Sequence, residues 1–386
     1  MNQIVSAFSS SADTPSAAAE LVQQIRSQLP RVDALVVFCS SRHDYPTLLS
    51  ALRQELAPGH LVGCSSAGEF VGTRQIEGGA SIIAFASDEL AFSTGLGHGI
   101  AQSPASVARD IIASFRSPES STYQYKYALI FNDPLSGRAE ELIEALALES
   151  GGRHQIFGGG AGDDAAFQKT HVFCGSNAYT DSAVGLEILS HRPIGIGIRH
   201  GWRAATPIMR VTEAHGQSVY SLNATPVGEF FHDYAQASSQ KLDRDNPLPF
   251  FLHNILGVKK EGGYRLAVPL GFDGKGGLNC CASVPEGAPV SIMSPDETGA
   301  ADAARDAARD AIAQLEGNKP GAAIFFDCVA TRLRIGKGFG DELQAVASEL
   351  GAVPVVGCNT YGQVAQVSGQ LSGFHNCTAV VCVFPE

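Results

Sequence analysis

The chain has 386 residues, 44% of them hydrophobic and 17% charged, with a net charge of −12. That length suits two or three domains, and an acidic balance without clustered Lys and Arg excludes a phosphate-binding face for nucleic acid. Nine cysteines without C-x-x-C spacing read as reduced thiols in a cytoplasm; no apolar run approaches the ~20 residues of a membrane helix, and the first residues lack the basic-then-apolar order of a secretory signal.

Asp13-Thr14-Pro15 predicts a helix cap before AAAELVQQIRSQL. Ala34–Phe38 then predicts a strand leading to Cys39, followed by the loop SSRHDYP and the helix TLLSALRQEL, with Leu48, Leu49, Leu52 and Leu56 at helical spacing. LVGCSSAGEF and the apolar run SIIAFAS close this unit. After a second capped helix at Ser103-Pro104, the order repeats as YALIFNDPLSG, AEELIEALALES, HQIFGGGAGDD and AVGLEIL, with Gly158–Gly159 standing where the first copy has Gly63–Cys64. Pro193–Arg199 and Ile208–Ala214 flank a Gly-Trp turn and predict a hairpin. A helix at TPVGEFFHDYAQ, a loop at KLDRDNPLPFF and a three-strand meander (Tyr264–Leu270, Gly277–Val284, Pro289–Met293) follow. Ser294–Pro295 opens a long helix, ADAARDAARDAIAQLEG, with an Ala, Ile and Leu face to bury and i,i+3 pairs Asp302–Arg305 and Asp306–Arg309 facing solvent. A third copy ends the chain: Ala322–Phe326 leading to Cys328, the helix DELQAVASEL, then VPVVGCNTYGQV and CTAVVCVF. Repeats of strand, loop, helix, strand, glycine turn and strand imply an α/β (mixed α+β) fold, a layered sandwich of duplicated strand-helix-strand units in two domains.

The glycine-rich stretches do not carry nucleotide chemistry. GIGIRHG and FGGGAG miss the G-x-G-x-x-G spacing, and GFDGKGG and GKGFG miss the Walker spacing. Structural zinc and covalent haem lack their spacings as well. Cys64 and Cys358 each follow a short apolar run, where a thiol could act as an acyl-transfer nucleophile beside turn N–H groups. The middle copy replaces the cysteine by Gly159, which favours packing over chemistry. Cys280 and Cys281 read as core residues on opposite strand faces, and His43, His98, His154 and His191 as solvated. His200 beside the single tryptophan, His253 after two phenylalanines and His375 before the last strand are candidate haem axial ligands or core histidines.

The ordered set GCSSAGEF, IRHGWRAATPIMRVTEAHG, LNATPVGEFF, VPEGAPVSIMSPD and VVGCNTYGQV resembles the FIST family of bacterial signal-input proteins over about 30–370. The resemblance implies a FIST N-terminal domain at 30–225 and a FIST C-terminal domain at 226–370, with a closing strand to 386. It also implies a non-enzymatic, cytoplasmic sensor. Kinase, GGDEF, EAL and membrane segments are absent from this stretch, so the expectation is a stand-alone input protein acting on a separate histidine kinase or cyclic-di-GMP signalling protein, with a homodimer left open. Family members that sense nitric oxide carry non-covalent haem b on one histidine, which makes His253, His200 or His375 the candidate ligand and haem iron the metal. Two other readings stay open. One is a sensor of an amino-acid-like metabolite, with a pocket at the glycine turns built from Gly63, Cys64, Ser65, Ser66, Gly357, Cys358, Asn359, Thr360 and Tyr361. The other is a hydrolase or transferase using Cys64 or Cys358.

Overall fold

The computed structural model describes residues 2–116, 122–296, 299–367 and 372–386; the expected domain end at 370 lies outside them. The first unit comprises β1 (Asn2–Ser9), α1 (Thr14–Arg26), β2 (Ala34–Ser40), α2 (Tyr45–Leu56), β3 (His60–Ser66), the hairpin β4 (Glu69–Val71) and β5 (Arg74–Ile76), and β6 (Ala80–Ser87). The second repeats that order as β7 (Leu90–His98), α3 (Pro104–Ala113), β8 (Tyr125–Asn132), α4 (Ala139–Glu149), β9 (Gln155–Gly160), β10 (Val172–Cys174), β11 (Asn177–Tyr179) and β12 (Ser182–Ser190). The third begins at β13 (Gly195–Arg199) and is interrupted by a lobe of β14 (Trp202–Ala204), β15 (Met209–His215), β16 (Ser218–Leu222), β17 (Thr225–Pro226), α5 (Val227–Ala237), α6 (Leu248–Phe251), β18 (Ile255–Lys260), β19 (Gly263–Ala267), β20 (Pro269–Phe272), β21 (Leu278–Cys280) and β22 (Pro289–Pro295). It resumes with α7 (Gly299–Ala313), β23 (Pro320–Cys328), α8 (Val329–Ile335), α9 (Phe339–Leu350), β24 (Val355–Thr360), β25 (Gln363–Gln366), β26 (Gly373–His375) and β27 (Ala379–Pro385).

Each unit builds one sheet in the same way. Its two central strands run parallel (β2 with β3, β8 with β9, β23 with β24), and its closing and leading strands add antiparallel. The hairpin is given away. β4–β5 completes the third sheet, β10–β11 the first, and β25–β26 the second, so the units are locked in a ring. The third sheet thereby joins β13 and β4–β5 to β23, β24 and β27 from the end of the chain.

The sheets' inner faces form one core, and at its centre Phe38, Phe131 and Phe326 meet edge to face with ring centroids 5.7, 5.8 and 5.9 Å apart. The outer faces bury against α1 and α2, α3 and α4, and α7 and α9. Strands covered on both sides need apolar residues at every position, which is why Ala34–Phe38 and Ala322–Phe326 read as unbroken apolar runs. The predicted caps form: Asp13 and Ser103 side chains accept the Ser16 and Ser106 N–H groups. The register refines one equivalence, because Cys39 pairs with Ser65 while Cys328 pairs with Thr360, one position further along.

Two expectations fail in the lobe. Pro193–Arg199 and Ile208–Ala214 do not pair with each other: β13 pairs with β27, whereas β15 pairs with β16 and β22. The glycines of β13 decide this. A Cβ at Gly195 or Gly197 would lie 1.8 Å from the Ala311 or Ala307 carbonyl oxygen, so this strand is shaped to lie under the alanine face of α7. GIGIR is thus a helix-packing surface, and Asp302–Arg305 and Asp306–Arg309 pair on the opposite side of α7 as expected. The three-strand meander also dissolves, since β22 pairs with β14, β15 and β18 and not with β21. Cys280 ends β21 inside the lobe's core, whereas Cys281, just past the strand, packs against both that core and the cluster around Trp202 and Cys328. Of the four histidines expected in solvent, His43 and His154 are buried, bonded to Thr14 and Glu187 respectively.

Candidate functional site

The three glycine turns, 63–69, 158–164 and 357–363, close around the pseudo-threefold axis. The Ala67 N–H donates to the Asn359 carbonyl (2.9 Å), Gly162 to Ser65 (2.8 Å) and Tyr361 to Gly160 (3.1 Å), a cyclic set in which each turn binds its neighbour. A Cβ at Gly63, Gly158 or Gly357 would lie 2.0, 2.0 or 1.9 Å from a carbonyl oxygen of the preceding parallel strand. Glycine is therefore required at all three first positions.

The turn side chains are already engaged. Cys64 and Cys358 are fully buried in the core that holds the phenylalanine triad, and burial pushes the Cys358 thiol well up. Ser65 accepts the His171 N–H (2.8 Å), and Ser66 donates to the buried carboxyl of Glu69. Tyr361 donates its hydroxyl to Asp163 and stacks on Phe167 at 4.4 Å. Asn359 and Thr360 both turn to Asp327, the Asn359 amide to its carboxyl (3.4 Å) and the Thr360 hydroxyl to its carbonyl (3.2 Å).

Asp327 leads out of the ring to a cavity between the third unit and the lobe. It holds about 10 Å³, room for about one water, and is lined among others by His200, Trp202, Asp327, Arg334, Glu342 and Cys377. Asp327 near the end of β23 and Glu342 in the first turn of α9 are 1% and 2% exposed and hydrogen-bonded to each other. Burial raises both; the Glu342 charge pushes Asp327 up further, while the hydrogen bond with Asp327 and the nearby Arg334 charge hold Glu342 to about 7. At neutral pH the pair holds a shared proton, and one Glu342 oxygen has no hydrogen-bond partner. Across from them the Arg334 guanidinium lies over the Trp202 ring at 5.3 Å, its buried Nε without a hydrogen-bond partner. Outside His200 the space widens into an open cleft of about 450 Å³, walled by Asp296, Asp302 and Asp306 among others.

Residues 33–225 match the FIST N domain and residues 229–366 the FIST C domain. The chain belongs to the FIST family. FIST domains mark a sensory, signal-transduction protein. An uncharacterized protein of Mycobacterium tuberculosis is 24% identical to the FIST chain over 98% of both. An uncharacterized protein of Methanocaldococcus jannaschii is 24% identical over 66% of this chain and 49% of that one. A cyanuric acid hydrolase from A. caulinodans superposes over all of both chains with a TM-score of 0.37 and 9% identity, too distant to bear on function. Among the described residues, no helix of the FIST chain is long and apolar enough to cross a membrane.

The three candidate histidines converge on the same junction but differ in state. His200 donates its Nε2–H to the Tyr264 carbonyl (3.2 Å) and accepts the Trp202 N–H at Nδ1 (3.3 Å), a tautomer assigned from these partners. Burial lowers its pKa, as it does for His375, which falls to about 3. His375 is 1% exposed and neither ring nitrogen has a hydrogen bond of good geometry, the Ala365 carbonyl lying beside it. His253 is exposed at the end of α6. A haem needs an apolar slot of several hundred Å³ around its ligand. The cavity at His200 is smaller than that, and the cleft outside is walled by aspartates that would repel haem propionates. The residues present do not make a haem pocket.

Asp327, Glu342, Arg334 and Cys377 carried no mark in the sequence. Each sits in an ordinary strand end, helix or turn, and only the packing of the lobe onto the third unit brings them together. A helix-borne Arg two residues after another, in TRLR, is indistinguishable from a solvated charge.

Proposed function

We propose that this FIST chain senses a small zwitterionic, amino-acid-like metabolite bound at the junction between the third unit and the lobe, entering from the open cleft at His200 and parting the lobe enough to reach Arg334 and Glu342. The observation that carries this is the pairing of opposite recognition groups across one small space. Arg334, stacked on Trp202 and without an ion-pair partner among the described residues, suits a carboxylate. The Asp327–Glu342 pair, with a free Glu342 oxygen, suits an ammonium group. The ring turns contribute through Asn359 and Thr360, which hold Asp327 in place.

The lobe provides the readout. The chain enters it beside Gly201 and the described part of α7 resumes at Gly299, and these two glycines touch, a Cβ at Gly201 falling 2.0 Å from the Gly299 carbonyl. A ligand held by Trp202 on the lobe and by Arg334 and Glu342 on the third unit binds one lobe position better than others and shifts the population toward it. A separate cytoplasmic partner, a histidine kinase or cyclic-di-GMP enzyme, reads that position.

The test is a thermal-shift screen with the free proteinogenic amino acids. A ligand at 100 times its Kd adds about 2.7 kcal/mol of stability. A subset of amino acids should raise the Tm of the wild type and leave that of Arg334→Ala unchanged. No shift with any of them, together with a Soret band after haem supplementation that moves on adding nitric oxide, would favour the haem sensor instead.

A further inference from the structure

The leading strands β1, β7 and β13 hold equivalent edges of the three sheets, and two of those edges are closed by a neighbouring unit. His60, at the start of β3, bonds the Thr94 hydroxyl of β7 (2.8 Å). The Tyr127 hydroxyl of β8 accepts the N–H of Ile194, just before β13 (2.8 Å). Counted back from the phenylalanine triad, the residue of the third unit that matches Tyr127 is Ala322; counted back from the turn glycines, the one that matches His60 is Pro354. Neither side chain can form a hydrogen bond, and the third edge, that of β1, stays open. A cleft of about 840 Å³ lies along it, lined by Ile4, Val5, Leu29, Arg192, Gly321 and Glu386 among others.

The backbone on this edge is unoccupied. β1 pairs with β6 on one side only. Phe8 turns its N–H and C=O the other way, where the Gln24 amide holds both (3.2 and 2.8 Å). In an antiparallel pair this direction alternates along the strand, so Ile4 and Ser6 also point their N–H and C=O outward. No described residue bonds them there. The strand, NQIVSAFS, has no Lys, Pro or bulge of the kind that blunts an edge.

We propose that β1 is the docking edge for an extended peptide of a partner protein, which adds as a strand to the first sheet. Ile4 and Ser6 offer it two donors and two acceptors. The cleft has walls on both sides of the strand, Gln28 and Leu29 after α1 on one and Arg192, Gly321 and Glu386 on the other. A single bare strand fits between them, whereas a second copy of this chain would bring its own walls into the same space. Arg192 is bound to Glu89, which leaves the Glu386 carboxylate without an ion pair among the described residues. The peptide therefore carries a Lys or Arg to meet Glu386 and no Pro where it pairs. This surface stands independently of the metabolite site.

The experiment is selection of a phage-displayed random decapeptide library on the immobilised full chain, followed by fluorescence anisotropy with the most enriched peptide. The expected peptides share a short Pro-free core with at least one Lys or Arg. Ser6→Pro removes an outward N–H that β6 does not use, so the variant should keep its Tm and bind about tenfold more weakly. Glu386→Gln should weaken binding by up to about fivefold. If Ser6→Pro does not fold, two forms of the peptide, N-methylated at one or the other alternate set of backbone nitrogens, decide on the wild type: loss of binding in one set alone supports the added strand. Failure of the library to enrich, equal binding by a folded Ser6→Pro, or equal binding of both methylated forms would overturn the proposal. So would a wild-type dimer that Ser6→Pro converts to monomer, because the edge then belongs to a second copy.

Discussion

Glu69 closes the first glycine turn, 1% exposed, accepting the Ser66 hydroxyl with one carboxyl oxygen and leaving the other without a partner. Burial pushes its pKa up to about 8, from an ordinary value near 4.5. The folded state therefore keeps a proton that the unfolded chain releases, and stability must fall as pH rises between about 4.5 and 8, by at most about 1.4 kcal/mol per pH unit for this one group. Urea unfolding of Glu69→Gln compared with wild type across that range isolates the contribution: the wild type should lose stability more steeply than the variant. Parallel pH profiles would mean that Glu69 is ionised in the fold. The cysteines at this scale were half legible. Replacement of Cys64 by Gly159 in the middle copy pointed to packing, and both thiols do pack in the core. Nothing local distinguished Cys328, which the fold brings into one apolar cluster with Trp202, Ile255, Met293 and Cys377 from distant parts of the chain.

At the scale of elements, triplication was legible because each copy keeps its order of strand, helix, strand and glycine turn. The leading elements β1–α1, β7–α3 and β13–α7 also belong to the units, and the lobe inserted after β13 hid the third of them. Exchange of hairpins was not legible, since β4, β10 and β25 are three or four residues long and pair with strands far away in the chain. Edge strands with alternating glycines follow from helix contact. Gly95 and Gly97 on β7 meet α3 backbone as Gly195 and Gly197 meet α7, with Cβ clearances of 2.4 and 2.7 Å. Gly197→Val should cost at least about 1–3 kcal/mol by overpacking, measured as a lower urea midpoint. An unchanged midpoint would show that α7 does not lie against β13. The phenylalanine triad gives a second check: Phe326→Ala removes a fully buried ring at the axis and should cost about 3–5 kcal/mol.

At the scale of the whole molecule, the three units build the ring of sheets and the lobe is an insertion into the third, at whose junction the proposed site lies. The lobe is tied to the second unit by Arg265, which pairs with Glu140 of α4, and to the third by Trp202 beneath Arg334. A ligand bound at that junction, as proposed above, would favour one lobe position over others. The most direct measurement is calorimetric titration of the best-scoring amino acid into wild type, Arg334→Met and Tyr361→Phe. A charge-assisted bond contributes about 1.5–3 kcal/mol, so Arg334→Met should bind roughly 10- to 100-fold more weakly while Tyr361→Phe, altered on the axis ring, binds as wild type does. Equal affinity for wild type and Arg334→Met, or loss of binding in Tyr361→Phe alone, would place the ligand elsewhere and contradict the account.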